Sequence, residues 1–277
     1  MIRVDAHHHV WRVARGDYGW LTPASRIYRD YTLDDLRPLL GDISATVLVQ
    51  AAPTEAETNF LLTVARNSHG LVRGVVGWTD LAAPDAPARI ARMAGVPALK
   101  GLRPMLQDIA DTDWILHSEV QPALTAMTAC GLRFDALIQP RHLPGLLTLA
   151  ARHPGLPIVI DHAAKPAIAQ GVFEPWASDI ARVARETEVL CKLSGLVTEA
   201  ATNWRADDLR RTVDHLLSCF GPARLMWGSD WPMVEVASGY AGWRAATDDL
   251  MLGLDAAARD AILGATAWYF YGLGDAA

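Results

Sequence analysis

Three consecutive histidines follow an aspartate near the amino terminus, within residues 4–11. Successive side chains of a β-strand point to opposite faces, so Asp5, His7 and His9 share one face. His8 then takes the other face. Residues two apart on a strand lie roughly 6.5–7 Å apart at Cα, which lets two imidazoles reach one ion at about 2.0–2.1 Å. The spacing predicts a metal site that includes His7 and His9, and the flanking Asp and Trp argue against a tag remnant.

A carboxylate far downstream is the second candidate. Asp230 follows an apolar run and lies in the sequence Gly-Ser-Asp-Trp-Pro at 228–232. It can complete a His-His-Asp set for one divalent ion, or take the proton from an attacking water. The alternative is a helix N-cap, since Asp is a favoured cap and Pro232 suits a first helical position. The sequence leaves both roles open.

Further candidates follow other predicted strands. His162 is predicted to be catalytic, by hydrogen bonding to a substrate carbonyl, or to be a third metal ligand; the alternative is a core histidine bonded to Asp161. Lys165 is predicted to bind substrate. The alternative is that it is a solvated lysine in a loop. Trp20 is predicted to wall the pocket, although aromatic residues often serve packing alone.

Two cations lie close together on one predicted strand. Lys100 and Arg103 have opposite parities, so both face the pocket only if the strand ends between them. Either can hold a polarised carbonyl or a product carboxylate, and Arg offers a bidentate fork. Both are candidate substrate-binding residues, and surface ion pairing is the alternative for each.

The elements that position these residues alternate along the chain. Eight short apolar runs predict strands at 3–10, 45–51, 72–78, 98–103, 133–139, 157–162, 189–194 and 224–229. Their starts are separated by roughly 24 to 42 residues, enough for a strand, a helix and two loops. Helical spacing predicts helices at 33–40, 113–129, 141–152, 174–187, 205–219 and 255–271, and one more after the capping box that begins at Thr54.

The strands are apolar on both parities, as in parallel sheets covered by helices. With no break in composition, the pattern predicts an α/β protein with a single (β/α)8 TIM barrel over residues 1–277. An open doubly wound sheet is the alternative, but no Gly-x-Gly-x-x-Gly follows the first strand. In a barrel, functional groups gather at the carboxyl ends of the strands, where these candidates lie.

Composition excludes several classes of function. The chain has 277 residues, 51% of them hydrophobic, with a net charge of −6. No basic block favours nucleic acid, and no apolar run reaches the roughly 20 residues of a membrane span. No secretory signal is recognisable, and three widely spaced cysteines indicate reduced thiols. These features predict a cytoplasmic protein with a small-molecule substrate and neither a nucleic-acid nor a membrane partner.

Taken together, the motifs resemble the amidohydrolase superfamily, and within it the sugar lactonases that act on L-fuconolactone and L-rhamnonolactone. The resemblance runs nearly end to end and is carried by the segments at 5–11, 17–20, 100–103, 161–166, 191–199 and 220–232. It implies a barrel whose mouth holds His7, His9, His162 and Asp230. The strings at 161–166, 191–199 and 220–232 are the most specific to the lactonases.

The resemblance implies a metal-dependent hydrolase that opens a sugar-type lactone to its hydroxy acid, with one divalent ion, zinc, at His7, His9 and Asp230. Two-metal relatives use a histidine after the fifth strand, whereas this chain has Gln139-Pro140 there, which disfavours a second ion. A homodimer is compatible with a barrel of this type. A zinc-dependent decarboxylase of the same superfamily and a barrel that only binds a sugar acid are the alternatives.

Overall fold

Eight parallel strands form one sheet in the computed structural model, which describes residues 2–274. Each strand pairs with the next in the order β1 to β8. The strands are β1 (Val4–His8), β2 (Ala45–Val49), β3 (Val72–Gly77), β4 (Leu99–Leu102), β5 (Arg133–Ala136), β6 (Ile158–Ile160), β7 (Leu190–Leu193) and β8 (Leu225–Trp227). Each lies inside a predicted run, and the predictions extended the strands into the loops that follow them.

The first and last strands meet and close the sheet. His8 forms a parallel bridge with Trp231, and the backbone N–H of His9 donates to the carbonyl of Trp231 at 2.7 Å. The N–H of Asp230 donates to the carbonyl of His7 at 2.8 Å. These bonds, with the parallel order, confirm the predicted single (β/α)8 TIM barrel.

Helices follow the strands in turn. Their bounds are α1 (Leu33–Leu36), α2 (Glu55–Arg66), α3 (Ala86–Ala94), α4 (Gln121–Ala129), α5 (Leu143–Arg152), α6 (Trp176–Glu186), α7 (Ala206–Phe220), α8 (Gly239–Leu250), α9 (Ala256–Asp260) and α10 (Thr266–Tyr271). Thr54 caps α2 by accepting from the N–H of Glu57 at 3.0 Å, as the capping box predicts. The sequence reasoning gave no bounds for α3 or α8.

Two predicted helices are interrupted. The segment 113–129 contains a short 3-10 turn, and α4 begins only at Gln121, where a proline occupies the first turn. The final helix is divided by a π-helical turn at Ala261–Ala265. It ends at Gly272, whose left-handed φ of 58° suits the predicted terminating glycine.

The interior of the barrel is filled from one end. A buried cluster joins apolar residues of β1, β2, β3, β6 and β8, which lie on opposite sides of the sheet, with Tyr271 and Leu273. Because these two residues come from the end of the carboxy-terminal helix and from the segment just after it, this part of the chain closes the amino-terminal end of the barrel. This end of the barrel interior is thereby filled by side chains. Within residues 2–274 no helix is long and apolar enough to cross a membrane.

Candidate active site

A cavity of about 210 Å³ lies at the carboxyl ends of the strands. Most of the predicted site residues line it. Its walls are His9, Trp11, Trp20, Ala51, Arg103, Met105, Gln107, Asp108, Leu137, His162, Lys165, Thr198, Asp230 and Met233. A larger groove of about 770 Å³ borders α5 and α6 but contains none of the predicted site residues. The chemistry of the lining makes the smaller cavity the candidate active site.

Three ligand-type side chains meet below the cavity. The Nε2 atoms of His7 and His9 lie 3.3 Å apart. Oδ1 of Asp230 lies 3.4 Å from Nε2 of His9 and 3.8 Å from Nε2 of His7. His162 adds a third imidazole, with its Nε2 3.8 Å from the same oxygen. The structure thus brings together the three residues that the sequence predicts as ligands.

Contacts behind the rings orient His7, in β1, and His9, just after it. Nδ1 of His9 lies 2.8 Å from the carbonyl of Val49 and can only donate there, so its Nε2 keeps a lone pair. Nδ1 of His7 lies 3.4 Å from Oδ1 of Asp161 and 3.1 Å from Nζ of Lys192. Burial and the Lys192 ammonium hold the pKa of His7 well below its usual value, so this ring is neutral.

The donor set fits one divalent cation. Oδ1 of Asp230 is buried and has no hydrogen-bond partner among the described residues. A buried carboxylate oxygen without a donor is costly unless a cation satisfies it. Two imidazole nitrogens and one carboxylate oxygen, all within 4.8 Å of one another, match the ligands that zinc prefers. The sequence alternative, an N-cap, is not formed, because the turn Met233–Val236 has no side-chain cap.

Asp230 is held in a strained backbone conformation and is ionised. Its φ is 55°, in the left-handed region that non-glycine residues rarely occupy. Burial alone would raise the pKa of the carboxyl, but the neighbouring His162, His9 and His7 outweigh burial and hold that pKa well below its usual range. An ionised Asp230 is able to accept a proton at neutral pH.

His162 faces the cavity from a left-handed turn that follows β6. Its Nδ1 lies 2.8 Å from Oγ of Ser194, which fixes the ring. Burial lowers the pKa of His162 to about 4, so the ring is neutral at pH 7. Gly195 leaves room for this ring: a Cβ built at that position would lie 2.6 Å from Nδ1 of His162. His162 is therefore positioned as a neutral hydrogen-bonding group.

Arg103 enters the cavity, and it is tied to a buried acid. Its Nη1 lies 3.2 Å from Oδ2 of Asp161 and 3.4 Å from Nε2 of His7, while Nη2 donates to the carbonyl of Gln50. His7, Asp161 and His162 form a second group of possible ligands. Because Asp161 already pairs with Arg103 and Lys192, protein cations occupy that position.

A layer of buried charge lies beneath the site. Lys192 Nζ lies 2.6 Å from Oδ2 of Asp135 and 3.0 Å from Oδ1 of Asp161. The hydroxyl of Tyr271 donates to Asp135 at 2.6 Å, which connects the carboxy-terminal helix to this layer. All four side chains are fully buried. The layer contacts His7 on the side away from the cavity. When Arg103 is included, the two cations Lys192 and Arg103 balance the two acids Asp135 and Asp161.

Sequence reasoning did not select these supporting residues. Asp135 and Lys192 are charged residues within largely apolar predicted strands. Their charge in such a position is the one feature of the sequence that could have identified them. Tyr271 gave no signal, because an aromatic residue on a helix usually serves packing. Asp161 was considered only as a partner of His162, whereas it contacts Arg103 and Lys192 instead.

The remaining predicted substrate-binding residues divide into two groups. Lys165 and Trp20 line the cavity: Lys165 pairs loosely with Glu199 at 3.8 Å, and Nε1 of Trp20 donates to the carbonyl of Ala51 at 2.8 Å. Lys100 does not reach it. Its Nζ donates to the carbonyl of Gly272 at 3.1 Å.

The placement of Lys100 corrects the sequence prediction. β4 does end before Arg103, as the parity argument requires. Lys100, however, lies near the start of the strand, and three residues of strand span about 10 Å. The depth of a residue along its strand, which parity ignores, therefore decides that Arg103 faces the cavity and that Lys100 faces the closed end of the barrel.

Comparisons with known proteins agree with this geometry. The chain is 46% identical to the L-fucono-1,5-lactonase of Burkholderia ambifaria, over 97% of this chain and 95% of that protein. It is 37% identical to the L-fucono-1,5-lactonase of Burkholderia multivorans, over 98% and 96%. A crystal structure of a Burkholderia multivorans amidohydrolase with bound zinc superposes with a TM-score of 0.92, at 36% identity, over 98% of this chain and 99% of that one. The amidohydrolase family model matches residues 4–273, and the chain belongs to the amidohydrolase family.

Proposed function

We propose that the protein is a hydrolase that opens a sugar-type lactone, an aldonolactone such as L-fuconolactone, to its hydroxy acid. The observation that carries this proposal is the buried carboxylate of Asp230, surrounded by three imidazoles at the base of a small cavity. The two relatives named as L-fucono-1,5-lactonases support lactone hydrolysis and favour it over the decarboxylase alternative. A binding-only protein has no use for a buried, strained carboxylate of this kind.

The site is suited to one divalent ion, which we propose to be zinc. His7, His9 and Asp230 would hold it, and the zinc-containing crystal structure of the related amidohydrolase supports this assignment. When bound, the ion supplies Lewis acidity beside the ester carbonyl. The identity of the metal, the cytoplasmic location, the homodimer and the single domain over 1–277 stay predictions.

Asp230 acts as the proton carrier. It accepts a proton from water as the water oxygen bonds to the carbonyl carbon, and His162 with Arg103 stabilises the resulting oxyanion. Collapse of this intermediate breaks the bond between the carbonyl carbon and the ring oxygen. Asp230 then returns its proton to the leaving alkoxide, which yields the hydroxy acid.

The cavity fits a single sugar ring. Its volume of about 210 Å³ lies below the roughly 300–1,000 Å³ of sites for drug-sized ligands. Trp20 offers an aromatic face, and Lys165 with Arg103 supplies cations for polar groups of the substrate or for the product carboxylate. Lys100 has no part in this proposal, because it faces away from the cavity.

Base uptake in weak buffer across a panel of aldonolactones tests the proposal. The purified protein should release acid from at least one lactone, and chelation should lower the rate until zinc is restored. Asp230→Asn should reduce kcat by about 100-fold or more, since general acid–base catalysis typically contributes 10²–10⁴-fold. Asp207→Asn, at an exposed aspartate of α7, is the matched control and should retain the parent rate. Near-native hydrolysis by Asp230→Asn would refute the mechanism.

Release of carbon dioxide from aromatic carboxylates, with no lactone consumed, would instead support the decarboxylase. Binding of a lactone without any turnover would support the binding protein. Acid release that survives verified metal removal would keep the lactonase and assign catalysis to Asp230, His162 and the cations.

A further inference from the structure

A full turn of left-handed backbone follows β6. His162, Ala163, Ala164 and Lys165 have φ values of 52°, 52°, 59° and 53°, and none of them is glycine. L-residues visit this region as single residues, because Cβ then crowds the neighbouring carbonyl oxygen. Four in succession are a concentrated source of backbone strain, and such strain persists only where surrounding structure enforces it.

The turn brings two cavity residues to one side. His162 and Lys165 are three residues apart and both line the cavity. The N–H of Lys165 donates to the carbonyl of His162 at 2.8 Å, which closes the turn. The two intervening alanines are fully buried and point away from solvent. A right-handed turn would rotate the chain in the opposite sense and change the direction in which both side chains leave the backbone.

One residue outside the barrel holds the turn. The indole N–H of Trp176, the first residue of α6, donates to the carbonyl of Ala163 at 2.7 Å. The Trp176 ring is itself fixed by Phe173 and His215, at centroid distances of 5.5 and 5.6 Å. The buried thiol of Cys191 in β7 also hydrogen-bonds to the backbone of Ala163, so the turn is supported from β7 as well as by Trp176.

We propose that the turn 162–165 is a strained positioning segment of the hydrolase, and that Trp176 is a positioning residue that keeps it left-handed. The inference rests on the proposed function for its catalytic consequence, since it assigns the turn to the placement of His162 and Lys165. Trp176 does not touch the cavity and acts through the backbone of Ala163. The turn and its support come from β6 and α6, which are consecutive elements of the chain.

Glycine substitution tests the strain without reference to activity. Glycine accepts positive φ at no steric cost, so Ala164→Gly should melt at or above the parent temperature although it removes a buried methyl group. The matched control is Ala123→Gly, at an equally buried alanine inside α4, which should lower Tm by roughly 2–4 °C. Equal losses of Tm for both variants would overturn the claim that the turn is strained.

Trp176→Phe tests the positioning. It keeps an aromatic ring but removes the N–H, and we expect kcat/KM to fall about tenfold, chiefly in kcat. The double variant Trp176→Phe/Ala164→Gly should recover most of that loss, because glycine holds the turn without the indole. A tryptophan needed only for packing would not be rescued. Unchanged activity in Trp176→Phe, or failure of glycine to rescue it, would overturn the proposal.

A separate readout covers the case in which no lactone is hydrolysed. The imidazole ¹H–¹⁵N correlations of His162 should shift in Trp176→Phe and return in the double variant. Trp227→Phe is the comparison, since the indole of Trp227 donates to Thr247 at 2.9 Å and lies outside the turn. Any change that Trp227→Phe causes should not be reversed by Ala164→Gly. Unmoved His162 signals in Trp176→Phe refute the positioning role, whereas an inactive parent with moving signals refutes only the proposed reaction.

Discussion

Gly195→Ala is the sharpest structural test of the role of His162. A Cβ at this position would lie 2.6 Å from Nδ1 and 2.7 Å from Cγ of the His162 ring, whereas ordinary contacts begin near 3.4 Å. The ring would have to move by about 0.8 Å. It has little freedom, because it is buried and its Nδ1 is paired with Ser194 at 2.8 Å.

The expected loss follows from this displacement. Misplacement of a catalytic group by about 1 Å can cost on the order of 100-fold in rate, so we expect kcat/KM for lactone hydrolysis to fall by about that factor. Overpacking should also lower the free energy of unfolding by about 1–3 kcal/mol, and the left-handed φ of 64° should add about 1–2 kcal/mol for a residue with a side chain.

Gly131→Ala separates the two effects. Gly131 has a nearly identical φ of 66°, but a Cβ there would meet nothing within 4 Å. The variant Gly131→Ala should therefore have a lower free energy of unfolding, because alanine is disfavoured at this φ, and it should keep its activity. The assays are base uptake at saturating and limiting lactone, and urea unfolding. If Gly195→Ala hydrolyses lactone as fast as Gly131→Ala does, the position of His162 does not matter for catalysis and our reasoning about its role is wrong.

Three further outcomes are expected. Lys192→Met should lower the free energy of unfolding by about 3–5 kcal/mol, because it leaves the buried Asp135 without a cation and removes one of the two cations that contact Asp161; a loss in urea unfolding below about 1 kcal/mol would contradict this. Burial lowers the pKa of His8 from 6.5 to about 3, so the unfolded chain binds the extra proton between these values and stability falls as pH falls through them, by up to about 1.4 kcal/mol per unit. His8→Gln should lack that part of the slope in urea unfolding at pH 7, 6 and 5, and parallel curves for parent and variant would be the contrary result. Trp20→Ala should raise KM about tenfold with kcat little changed, as expected for loss of an aromatic wall worth about 1.4 kcal/mol; an unaltered KM would show that the indole does not contact substrate.

Hydrophobic pattern was sufficient to predict the barrel, because the strands lie in short, largely apolar runs and most helices repeat their apolar positions at helical spacing. Local spacing was also sufficient to predict that His7 and His9 lie side by side, because the alternation of side chains between the two faces of a strand is a property of the backbone. The approach of Asp230 to these two histidines depends on closure of the sheet into a barrel. The eight predicted strand–helix units implied that closure.

Other features depend on tertiary structure that no local pattern records. The side chain of Lys100 faces the closed end because of its depth in β4, which parity does not express. The left-handed turn after β6 contains no glycine or asparagine, so the usual sequence signal for positive φ is missing. The pairing of Asp135 with Lys192 joins β5 to β7 across the barrel interior, and neither residue has a partner nearby in sequence.

The bonds between His7, His9, Asp230 and Trp231 place the reactive groups at the junction of the first and last strands. During synthesis the two histidines leave the ribosome long before their carboxylate partner exists. A nascent chain that has not yet reached Asp230 therefore cannot carry a working centre. Catalysis requires that the first and last strands have met, so turnover itself reports that the barrel of a molecule has closed.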